Sequence, residues 1–246
     1  WGVLLCYAAL PWMIRMFVKV GALPSGAALT KLLAGAVLLT AVITSFTPAF
    51  LLVIIWLGIV WVISDTISRV AASSLMGVLR LVVVGAVGAF VLHSPWSGEF
   101  FVADWLDKVI GQHPDVARQV GMLNLSRLDG GLWAIGVLAL GLYAPTFISI
   151  VVARGQMVVW ATRALMMVVL TSAVLVLDDS GTITLPLPET GLMLVIVACG
   201  LALGAAALAN IMLDETAIRP NGLWKSLGAL SLIAATVGMV PAITGA

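Results

Sequence analysis

Apolar positions in this chain neither alternate nor recur on one face. They run in unbroken stretches of roughly 20 residues, the length a bilayer core of about 30 Å demands at 1.5 Å per residue. The pattern predicts about eight helices, near residues 1–18, 27–45, 48–64, 74–92, 132–153, 157–177, 191–213 and 225–244. Between Leu32 and Ser64 there are 33 residues without a charge, about 50 Å as one helix, so this run must turn. Ser45-Phe46-Thr47-Pro48 is the expected hairpin, because proline lacks the donor a helix needs and biases its predecessor away from helix. Pro145 is expected to kink the fifth helix, with Thr146 or a neighbour satisfying the freed carbonyl.

Composition narrows the class. The 246 residues are 62% hydrophobic and 9% charged, against about 25% charged in ordinary soluble domains. A net charge of +1 offers no basic face for nucleic acid. The fold class expected is all-α: a polytopic transmembrane bundle in the bacterial plasma membrane, one domain over residues 1–246. The start, Trp1-Gly2-Val3-Leu4-Leu5, resembles neither a native N-terminus nor a signal peptide, which suggests an excerpt of a longer chain. Cys6 and Cys199 lie in apolar runs and read as small buried residues, not a disulfide.

Charge placement gives orientation, since short cytoplasmic connections collect Lys and Arg. Arg15, Lys19, Lys31, Arg69, Arg80, Arg154, Arg163, Arg219 and Lys225 all fall at alternate connections. The opposite connections are uncharged or rich in acids, so the loops 93–131 and 178–190 are expected outside the cytoplasm. Arg80 and Arg163 lie within about two turns of the basic side, where they can snorkel or contact an anionic lipid. Asp65 and Arg69, spaced i,i+4, are expected to pair on one helical face.

The longest polar stretch follows His93. From Gly98 to Ile110, Phe101, Trp105 and Val109 recur at helical spacing, which predicts an interfacial amphipathic helix in the extracytoplasmic loop. Its aromatics would sit at headgroup depth. Alternatively, Trp96 and Trp105 could stack on a sugar or lipid-linked ligand while Glu99 or Asp104 serves as acid or base. His93 and His113 stand 20 residues apart without partners at ligand spacing, so no metal site is expected, and no motif points to a cofactor. Every Asp and Glu falls at a helix end or in a loop, unlike the intramembrane carboxylates of ion-coupled transporters. Gly200-Leu201-Ala202-Leu203-Gly204 is a GxxxG, which lets helices approach closely.

Several segments carry a resemblance. Cys6-Tyr7-Ala8-Ala9-Leu10-Pro11, the run Leu39–Pro48 ending in an aromatic-small-Pro turn, Ser94-Pro95-Trp96-Ser97, Val159-Trp160-Ala161 and the Ala/Gly-rich seventh helix together resemble the multi-pass region of large actinobacterial family 2 glycosyltransferase-like membrane proteins. The likeness covers most of the chain in order, through short apolar motifs. Where that family tends to have Gly-Trp-Arg-Gln before its last helix, this chain has Gly222-Leu223-Trp224-Lys225. The resemblance implies a membrane anchor and acceptor platform for polyprenyl-linked sugar in cell-envelope polysaccharide biosynthesis. It gives no residue here a catalytic role, because the family's nucleotide-sugar domain precedes such a bundle. The competing expectation is a non-enzymatic membrane subunit: a scaffold, secretion-channel or flippase component working with other membrane proteins.

Overall fold

The computed structural model describes residues 2–23, 26–94, 97–98, 140–182, 187–213 and 222–244. Among these there are eight α-helices and no strand: α1 (Gly2–Val20), α2 (Ala27–Phe46), α3 (Phe50–Ile67), α4 (Ala72–Leu92), α5 (Ala144–Val152), α6 (Gln156–Asp179), α7 (Thr190–Leu213) and α8 (Gly222–Thr244). Six of them, α1 to α4, α6 and α7, are long and apolar enough to cross a membrane. This is a multi-pass helical membrane protein. The chain divides into two compact units; α1 to α4 with the first turns of α7 (to Ile196) form one, and α5, α6, the rest of α7 and α8 belong to the other.

In the first unit α4 is the common neighbour, and small residues bring the helices together where lipid supplies no hydrophobic drive. A methyl group added at Gly88 would lie 2.5 Å from Val37 of α2, and one at Gly77 3.2 Å from the Val20 carbonyl of α1. On α3, Gly58 takes Val82 of α4. Phe17 of α1 and Trp61 of α3, each 1% exposed, meet edge to face with ring centroids 5.4 Å apart. The Ser45–Pro48 turn is present: α2 stops at Phe46, and the Phe50 and Leu51 amides donate to the Thr47 and Pro48 carbonyls, starting α3. Cys6 in this unit and Cys199 in the other are both buried free thiols.

Several hydroxyls inside the helices donate to a carbonyl of the preceding turn, whereas those of Thr40, Ser64 and Thr146 are buried without a hydrogen-bond partner. Thr44 donates to the Thr40 carbonyl at 2.8 Å, Thr66 to Val62 at 2.8 Å and Thr162 to Val158 at 2.8 Å.

Two expectations are corrected. Pro145 does not kink a helix: it lies in the first turn of α5, after a 3-10 turn at Leu140–Leu142. There its missing N–H has no intrahelical partner to lose. The i,i+4 face for Asp65 and Arg69 does not exist, because α3 ends at Ile67 and Arg69 adopts φ 54°. The Val70 amide donates to the Asp65 carbonyl and the Arg69 amide to Thr66, a Schellman cap with arginine in the position glycine usually holds. The end of α6 repeats the motif with Gly181 at φ 68°, Thr182 donating to Leu177 and Gly181 to Asp178. A left-handed residue with a Cβ costs about 1–2 kcal/mol, so Arg69→Gly is expected to stabilise by about 1 kcal/mol and Gly181→Ala to destabilise by about as much. Thermal unfolding of the detergent-solubilised protein measures both; shifts of the same sign would contradict the shared geometry.

Candidate functional site

Of the residues singled out in the sequence, Trp96, Glu99, Asp104 and Trp105, with the amphipathic segment Gly98–Ile110 around them, lie outside the described residues apart from Gly98. The loop's entry is described. The Ser97 amide donates to the His93 carbonyl, and Ser97 is 5% exposed. His93 Nε2 stands 2.8 Å from Thr44 Oγ1. Thr44 Oγ1 also lies within hydrogen-bond distance of the Thr40 and Ala41 carbonyls of its own helix. The contact with His93 ties the end of α4 to the end of α2 where the long loop begins.

The opposite end of the same unit is basic. Gly21 lies against Ser74 and Gly77 against Val20, which brings the end of α1 beside the start of α4. Lys19, Lys31 and Arg69 are exposed there. Lys19 and Lys31 line a shallow cleft of about 490 Å³ together with Ala22, Leu23, Ala28 and Leu32. Arg80 is exposed on α4, eight residues past its first, about 12 Å along the axis. Asp65, which the sequence places at the interface, is fully buried at 0% exposure.

Arg163 belongs to the second unit. It is 8% exposed, and its guanidinium carbon lies 5.1 Å from the centre of the Trp160 ring, within reach of a cation–π contact that partly offsets its desolvation. Snorkelling is therefore the better description for Arg80 than for Arg163. Among the described residues no three His, Cys, Asp or Glu side chains gather where a metal could bind.

The sequence reading missed an apolar groove of about 450 Å³ between α3 and α4. Its walls are Ile55, Ile59 and Ile63 on α3 and Leu79, Val83 and Val87 on α4. All six are exposed, from 37% to 57%, and Gly58 and Val82 close the floor by their direct contact. The signal was present as two i,i+4 rows of branched residues, but in helices apolar on every side such rows do not stand out. In size the groove falls within the range of about 300–1,000 Å³ typical of small-molecule sites. Comparison of this chain with family models, curated proteins and solved structures gives no match.

Proposed function

We propose that this chain is the membrane-embedded platform of a glycosyltransferase-like protein of bacterial cell-envelope polysaccharide biosynthesis. It anchors that protein in the plasma membrane, with the loops 93–131 and 178–190 on the outer side, and holds a lipid-linked acceptor for transfer chemistry supplied from outside these helices. The observation that carries the reading is the lipid-open groove between α3 and α4, in the same helical hairpin as the exposed Arg69 and Arg80. The family resemblance of the short motifs points the same way. In this role the Arg and Lys residues act on anionic headgroups through charge, each contributing about 1 kcal/mol near the surface.

The test is depletion of the protein in its native host, with radiolabelled sugar incorporation into lipid-linked envelope products followed in isolated membranes. Incorporation is expected to fall on depletion and to return with the wild-type gene. Unchanged incorporation would overturn the reading in favour of a scaffold, secretion-channel or flippase subunit. The double substitution Glu99→Gln with Asp104→Asn is expected to leave incorporation intact; its loss would relocate the chemistry to the extracytoplasmic loop.

A further inference from the structure

At the basic end of the first unit, two lysines share one cleft. A Cβ at Gly35 of α2 would meet Met16 Cε of α1 at 3.7 Å, so the two helices touch at that level. Lys19 lies three residues beyond Met16 and Lys31 four residues before Gly35, about 4.5 and 6 Å in the same direction along the antiparallel pair. Their stems therefore leave the helices at nearly one height. Both side chains are exposed, and both line the cleft of about 490 Å³ whose remaining wall is Ala22, Leu23, Ala28 and Leu32. Two acids fall among the described residues of this unit. Asp65 is fully buried, and Glu189 stands beside Gly191, which faces Val3 near the opposite end of α1. Arg15, one turn back on α1, lies over the Trp12 ring at 5.8 Å.

Two ammonium groups brought to one concave surface repel each other unless an anion lies between them. A cleft where two membrane-spanning helices end and begin stands at headgroup depth, where the anion at hand is a lipid phosphate. Lysine holds phosphate as a compact charge with three rotatable donors. The leucines and alanines of the same cleft form an apolar wall, which a glycerol backbone and the first methylenes of an acyl chain would cover and a free phosphate ion would leave to water. We propose that the cleft binds one acidic phospholipid, its phosphate held between Lys19 and Lys31. This rests on the part of the platform reading that sets basic residues against anionic headgroups, and narrows it to one molecule at one place.

The experiment uses the protein purified whole from membranes and placed in phosphatidylcholine nanodiscs doped with phosphatidylglycerol. Native mass spectrometry then counts the lipid retained per chain. A parallel arm has phosphatidylcholine alone with inorganic phosphate added. One phosphatidylglycerol per chain is expected, with phosphatidylcholine retained far less and no phosphate bound in the second arm. Lys19→Gln and Lys31→Gln should each weaken retention about fivefold, the equivalent of one basic contact. Arg80→Gln removes the same charge from α4, outside the cleft, and should leave retention unchanged; helicity by circular dichroism should stay at the wild-type value in all three variants. Equal weakening by the three substitutions would reduce the effect to general surface attraction and overturn the site. Equal retention of the two lipids, or binding of inorganic phosphate without the lipid, overturns it as well. Because lipid retention and sugar incorporation are read separately, failure of the cleft is distinguishable from failure of the platform reading.

Discussion

Gly204→Ala is expected to destabilise the second unit by about 1–3 kcal/mol, the usual cost of forcing atoms into a closed contact, and Gly204→Leu to prevent α5 from seating on α7. A Cβ at position 204 would lie 2.8 Å from Thr146 Cα and 2.7 Å from Thr146 Cβ. One turn earlier on the same face, a Cβ at Gly200 would lie 2.9 Å from Met167 Cβ and 3.0 Å from the Ala164 carbonyl oxygen. These neighbours are backbone atoms or atoms fixed directly to it, so no side-chain rotation relieves the clash; a helix must move. The GxxxG thus serves two partners, with Gly200 set against α6 and Gly204 against α5. Gly35→Ala is the informative comparison. Only the flexible Met16 Cε, at 3.7 Å, faces that position, and alanine is favoured over glycine inside a helix by about 1 kcal/mol, so this change should be neutral or stabilising. Unfolding in detergent with increasing dodecyl sulfate, followed by circular dichroism, measures all three variants. If Gly204→Ala and Gly35→Ala behave alike, the close approach of α5 and α7 is wrong.

The GxxxG also marks how far the sequence could be read. Its small residues announced a close approach, but not that the two glycines face different helices, since partner choice depends on the arrangement of the whole bundle. Six of the spans were legible because bilayer thickness imposes a length on each apolar run, and the Pro48 turn because an uncharged run of 33 residues is too long for one crossing. Pro145 misled for a reason of the same kind: a proline inside an apolar run looks alike whether it bends a helix or begins one, and only the 3-10 turn before it decides. Arg69 gave no warning, because the left-handed cap it occupies is ordinarily glycine's. The groove was illegible for a different reason. In α3 and α4 the residues facing lipid and those facing other helices come from the same apolar set, so no contrast in hydrophobicity separates a groove wall from a packing face. The loop residues Trp96, Glu99, Asp104 and Trp105 lie outside the described residues.

Trp61→Ala should be the most damaging single truncation in the first unit. Trp61 is 1% exposed and lies edge to face with Phe17, the planes inclined at 74°, so it fixes α3 against α1 through a contact that is directional as well as large. In a soluble core the loss of such a side chain costs about 3–5 kcal/mol, part transfer and part cavity. Within a bilayer the transfer part shrinks, since the separated helices rest in an equally apolar solvent, but the cavity and the lost dispersion contacts remain. The expected cost is therefore near the lower end, about 3 kcal/mol. Trp61→Phe keeps an aromatic edge for Phe17 and should recover more than half of it. A double-mutant cycle with Phe17→Ala isolates the ring pair, for which a coupling of about 0.5–1.5 kcal/mol is expected. Strictly additive losses would show that the two rings fill space independently; a coupling within that range would assign the orientation of α1 on α3 to the edge-to-face contact itself.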